Sequence, residues 1–195
     1  MLALRNFITR CAIPTAGQAG VRWSGLLALL LTSWLGLSGC HRVGCPLIQT
    51  DIDDLVAAGK PPTGFSNEQV RSGQYAIKIA TGAEFAGDIR QTLGGACNFV
   101  PRRLRLRAWV FLKSGRIRGT NLVLTVRCNG RREDPRMSIP LHTTIMRYNK
   151  WERVQQSFTL PDGLLPTDEL LFYCWHAEAN GDVTYVDDVR IDALP

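Results

Sequence analysis

The chain has 195 residues, 23 Lys and Arg against 17 Asp and Glu, and six cysteines, a size that suits one domain of ordinary dimensions. With 45% hydrophobic residues, unexceptional glycine and proline, and a single long apolar run, it is neither a disordered tail, a collagen-like repeat nor a many-span membrane protein. The net charge of +6 is unevenly held: residues 1–39 carry Arg5, Arg10 and Arg22 and no acid, which leaves only +3 for the remainder.

The first element is the apolar run Leu26 to Leu37, twelve residues bounded by Arg22 and by His41-Arg42. As a helix it rises about 18 Å, short of the roughly 30 Å hydrocarbon core, so it reads as a signal-peptide core rather than a span. Its end, Leu37-Ser38-Gly39-Cys40, resembles the lipobox of bacterial lipoproteins. That resemblance implies cleavage before Cys40, acylation of Cys40, and stable anchoring by two or three acyl chains where one would hold only marginally. Residues 1–39 are then the signal peptide, with Val21 as an alternative start, and 40–46 a lipidated cysteine and tether. Position 41, immediately after Cys40, is His and not Asp, so the inner-membrane retention rule does not apply and the outer membrane is expected.

From 47 to 195 helical periodicity is almost absent, and short alternating or apolar runs recur between turn signals, the pattern of an all-β sandwich. Nine strands are expected, near 47–55, 68–80, 84–93, 102–113, 120–129, 137–146, 151–160, 168–177 and 183–193. The clearest is RRLRLRAWVFLK, where Leu104, Leu106, Ala108, Val110 and Leu112 alternate with Arg103, Arg105, Arg107, Trp109 and Phe111. One face must be buried while the other shows arginine and aromatic groups. Turns fall at Ser114-Gly115, Asn129-Gly130, Pro161-Asp162-Gly163 and Asn180-Gly181. Cys45, Cys97, Cys128 and Cys174 follow Cys40, and in an oxidising compartment they allow up to two disulfides in three pairings, or buried thiols.

Three segments in order resemble the galactose-binding-like jelly roll of carbohydrate-binding modules: Ser72-Gly73-Gln74-Tyr75-Ala76-Ile77-Lys78-Ile79, then Trp151-Glu152-Arg153-Val154 with Phe158-Thr159-Leu160-Pro161, and finally Tyr185-Val186-Asp187-Asp188-Val189-Arg190-Ile191. The resemblance implies a two-sheet antiparallel jelly-roll sandwich with a ligand on the concave sheet or at a loop rim. It implies a structural calcium between the first strand, at Asp51 or Asp53, and Asp187 in the last, with carbonyls and water completing six to eight oxygens. It also makes the strands of Cys128 and Cys174 neighbours, which favours the disulfides Cys128 to Cys174 and Cys45 to Cys97. On the concave sheet Tyr173 and Trp175 would stack on sugar rings, with Asp88, Arg90, Thr125, Arg127 and His142 as polar neighbours.

Catalytic signatures are thin: no GxSxG, HExxH or phosphate loop, and the adjacent Asp53-Asp54 and Asp187-Asp188 pairs should point to opposite strand faces. Charge is more telling, since residues 102–136 carry +9 and the rest of the exported part −6. Such polarity attracts anionic envelope polymers or headgroups, whereas an exported lipoprotein rarely meets nucleic acid. The expectation is a non-catalytic envelope lipoprotein that binds glycan or another envelope component, with a structural or protein-interaction lipoprotein as the alternative.

Overall fold

The computed structural model describes residues 44–56, 63–116, 119–176 and 183–195; the expected signal peptide, Cys40 and most of the expected tether lie outside the described residues. Ten strands form two antiparallel sheets. They are β1 (Cys45–Thr50), β2 (Phe65–Ser66), β3 (Ala76–Ile79), β4 (Phe85–Thr92), β5 (Arg103–Leu112), β6 (Thr120–Arg127), β7 (Arg136–Pro140), β8 (Trp151–Thr159), β9 (Glu169–His176) and β10 (Thr184–Leu194).

One sheet runs β2-β3-β10-β5-β8, with β1 beside the far end of β10; the other runs β4-β9-β6-β7. Alternation decides which side chains face inward. Leu104, Leu106, Ala108 and Val110 of β5, with Val186, Val189, Ile191 and Ala193 of β10, meet Leu122, Leu124 and Val126 of β6 and Leu170, Phe172 and Cys174 of β9. All are buried, and removal of this apolar area from water is the main stabilising term. A smaller cluster on the outer side of the first sheet joins Phe111, Tyr185 and Ala76 with Trp151, whose ring meets that of Phe111 edge-on at 5.7 Å. Trp151 thus packs rather than binds.

All nine expected strands are present, with three shortened for identifiable reasons. The first ends at Thr50 because Ile52 takes a left-handed φ of 76°, its N–H donating to Thr50 Oγ1 before a 3₁₀ turn at Asp53–Leu55. In the expected 68–80 strand, the N–H groups of Arg71 and Ser72 donate to Asp187 and those of Gln74 and Tyr75 to Asp53. Those donors are satisfied by carboxylates, so no ladder forms before Ala76. The 137–146 strand stops at Pro140, and a single helical turn, α1 (Leu141–Thr144), follows with Thr144 Oγ1 donating to the Pro140 carbonyl. Residues 65–66 add the unexpected short β2.

Cys45 and Cys97 form a disulfide. The Cys128–Cys174 disulfide expected from the resemblance does not form, and both thiols are free and buried. Their strands are neighbours and both side chains point inward, but Cys174 lies opposite Leu122, six residues before Cys128. At about 3.3 Å per residue the two sulfurs sit at opposite ends of the pair, beyond disulfide reach.

Candidate functional site

The four-stranded sheet turns Phe85, Asp88 and Arg90 of β4 outward, with Glu169, Leu171, Tyr173 and Trp175 of β9, Asn121, Thr125 and Arg127 of β6 and Arg136 of β7. Register brings them into rows. Phe85 lies opposite Trp175, and Thr125 lies between Leu171 and Arg136. A bulge between Ala86 and Ile89 shifts β4, and Gly87 with φ 73° occupies it because a Cβ there would come within 2.5 Å of Ile77 Cδ1. Through that shift Phe85 and Asp88 both border the same space.

The space is a groove of about 690 Å³, floored by Tyr173, Leu171 and Thr125, and walled by Phe85 and Phe65 on one side and Arg127 on another. Phe85 is 58% exposed, and its ring meets that of Tyr173 at 5.9 Å between centroids. Arg136 stacks over Tyr173 and Trp175 at 5.9 and 5.2 Å, which fixes both rings from the far side. The Thr125 hydroxyl in the floor has no hydrogen-bond partner. Asp88 donates no proton here: the Arg90 guanidinium hydrogen-bonds it and, against the effect of partial burial, holds its carboxyl below the usual range. Asp134 accepts the Cys128 N–H.

Four of the seven ligand residues expected from the sequence, Tyr173, Thr125, Arg127 and Asp88, line the groove, and Trp175 and Arg90 lie on the same face beside it. His142 does not: it sits exposed on α1, past the Pro140 break and off the sheet. Phe172 and His176 are buried, the latter against Thr120 Oγ1 at 2.9 Å, so the register is the one that puts Tyr173 and Trp175 outward. The residues missed are Phe85 and Arg136. Strict alternation with Asp88 and Arg90 would turn Phe85 inward, and the bulge at Gly87 turns it outward.

The expected calcium ligands are separated in use. Asp53 accepts the Gln74 and Tyr75 N–H groups, and Asp187 accepts those of Arg71, Ser72 and Asp188. Asp51 lines a different hollow with Thr50, Asp54 and Asp188. Among the described residues no group of three His, Cys, Asp or Glu side chains is placed to hold a metal. As arranged, the three acids do not fit a calcium shell: Asp53 and Asp187 bind amides, and Asp51 lies apart from both in its own hollow. Asp187 and Asp188 also depart from the alternation expected of a strand. A bulge with φ 48° at Asp188 turns both carboxylates to the 71–72 segment, where Asp188 accepts from the Arg71 guanidinium and the Ser72 hydroxyl.

No family model and no curated protein matches the chain. Among solved structures it is similar to a "Family 16 Carbohydrate Binding Module-2", 17% identical over 65% of this chain and 82% of that one, with a TM-score of 0.45. It is also similar to the CBM22-1 xylan-binding domain of Paenibacillus barcinonensis Xyn10C, 16% identical over 77% and 95% of the two chains, TM-score 0.46. A third is the Clostridium thermocellum Xyn10B CBM22-1-GH10 structure complexed with xylohexaose, 10% identical over 78% of this chain and 29% of that one, TM-score 0.49. These structural neighbours are, or contain, carbohydrate-binding modules, and a further one is described as belonging to the β-sandwich superfamily.

Proposed function

We propose that the chain is a non-catalytic, lipid-anchored envelope protein whose sandwich binds a glycan in the groove of the four-stranded sheet. The observation that carries this reading is the aromatic pair Phe85 and Tyr173, set at 5.9 Å beside Trp175 on an open groove. An exposed apolar surface of this kind, with a few convergent polar groups, is what a ligand site presents. The C–H faces of a pyranose stack on such rings, while Arg127 and Asp88 offer a donor and an acceptor to ring hydroxyls. Arginine and acid balance in and beside the groove, with Arg90, Arg127 and Arg136 against Asp88, Asp134 and Glu169, which suits an uncharged sugar. Asp88, held ionised by Arg90, is a poor general acid, in keeping with binding without hydrolysis.

The test is affinity electrophoresis of the full chain in gels containing neutral polysaccharides. Retardation by at least one of them, reduced about tenfold in affinity by Tyr173→Ala or Phe85→Ala and unchanged by His142→Ala, is expected. No retardation by any glycan, or equal retardation of all variants, overturns the reading and leaves a structural or protein-interaction role.

A further inference from the structure

The outward face of the six-stranded sheet carries most of the remaining arginines and takes no part in the groove. Arg103, Arg105 and Arg107 occupy alternate positions of β5, Arg190 of β10 lies opposite Arg107, and Arg153 of β8 lies opposite Trp109. Arg71 stacks on Trp109 at 4.0 Å. Asp51 and Asp54 border this face beside Asp188 and Arg190, and three carboxylates within it are engaged. Asp192, buried, bridges Arg107 and Arg190; Asp188 pairs with Arg71; Asp187 lies beneath the Arg71 and Ser72 amides. Among the described residues no carboxylate pairs with Arg103, Arg105 or Arg153. Between Arg107, Trp109, Arg153, Asp188 and Arg190 is a hollow of about 160 Å³, and among the described residues Arg107 Nε has no acceptor.

The position of this face relative to the chain entry gives it a partner. β1 starts at Cys45 opposite Ala193, and a Cβ on Gly44 would lie 2.7 Å from Leu194 Cδ2, so the chain reaches the domain beside Leu194. Leu194 pairs with Arg103. The polypeptide thus enters at the Arg103 corner, and Cys40 is five residues away, no more than about 18 Å of extended chain. Arginines held that near a bilayer lie within about one or two Debye lengths of its headgroups, where basic side chains add to the binding of an anionic surface.

We propose that the arginine face of the six-stranded sheet docks on an anionic phospholipid surface, which turns the four-stranded sheet and its groove away from the membrane. The reading of Cys40 as an anchor enters only through proximity. The test is arginine footprinting of the full chain on vesicles with hydroxyphenylglyoxal, read by peptide mass spectrometry. On phosphatidylcholine containing about one part in three phosphatidylglycerol, Arg103, Arg105 and Arg153 should be modified at least about threefold more slowly than on phosphatidylcholine alone, and about 0.5 M salt should erase the difference. Arg127 and Arg136, on the other sheet, should react equally in both. Equal reactivity of the three arginines on the two vesicle types overturns the proposal. So does equal protection by soluble polygalacturonate on neutral vesicles, which would assign the face to acidic polysaccharide instead. The mass of the Cys40 peptide from the same digest reports acylation separately, and the glycan gels report the groove.

Discussion

Cys174 is surrounded by apolar side chains, and burial pushes its thiol far above the ordinary value; Cys128 moves the same way through burial and the nearby Asp168 and Asp134 charges. Neither can present a thiolate at neutral pH. Alkylation of the folded chain should leave both peptides unmodified, and denaturant should expose both to full reaction; modification of either in the native state would contradict their burial. Asp168 illustrates the opposite sign. Burial raises its pKa, but the Arg131 guanidinium and the Leu165 N–H outweigh this and hold the carboxyl below its usual range. Its folded pKa lies below the unfolded one, so its stabilisation is present above about pH 4 and is lost as pH falls through the lowered folded value. Asp168→Asn should therefore lower Tm by roughly 3–8 °C at neutral pH and flatten the acid limb of the stability curve, as followed by circular dichroism. Asp187, raised by burial against its three amide donors, contributes with the reverse sign and loses stability as pH rises through its folded pKa.

At the scale of elements, the 71–75 segment is held by two carboxylates from opposite directions, Asp187 of β10 and Asp53 of the 3₁₀ turn. Gly73, with φ 66°, is required there because a Cβ would come within 2.4 Å of the Asp53 carboxylate. Asp53→Ala leaves two amide donors unpaired and should cost about 2 kcal/mol, measured as a shift of the urea midpoint. Unfolding in calcium and in chelator should coincide, since these carboxylates are spent on amides. A calcium-dependent rise in Tm would restore the metal reading. Strand positions were legible because alternation over eight to ten residues is a strong periodic signal, as in β5 and β6. The groove was half legible for the same reason: Tyr173, Thr125 and Arg127 lie on unbroken strands. What the sequence hid lies at breaks of parity. The bulges at Gly87 and Asp188 reverse facing, which conceals Phe85 and sends two adjacent acids to one side, and register, not adjacency, separates Cys128 from Cys174. The amide-binding use of Asp53 and Asp187 was equally invisible, since a carboxylate near a strand end reads the same whether it will meet a cation or an N–H.

Across the whole molecule, the basic segment of residues 102–136 does not form one patch. The sandwich splits it, sending Arg103, Arg105 and Arg107 to one outer face and Arg127 and Arg136 to the other, with Arg131 spent on Asp168. The local +9 therefore yields a cationic face on one side and a balanced groove on the other. The Cys45–Cys97 disulfide spans 52 residues of sequence, and closing a loop of that length removes about 4 kcal/mol of unfolded-state entropy. Its replacement by alanines should lower Tm by roughly 12 °C in calorimetry. The same bond has a mechanical consequence. β1 is a terminal strand held by one neighbour, β10, so tension on the chain ahead of Cys45 would act on its ladder from one end, opening hydrogen bonds one after another. The sulfur bridge lies at the first residue of that strand, at the first rung of its ladder. Tension is carried across it into residue 97 and the body of the sandwich, so that a pull on the chain ahead of Cys45 is borne by a covalent link and the rungs of β1 beyond it are spared the load.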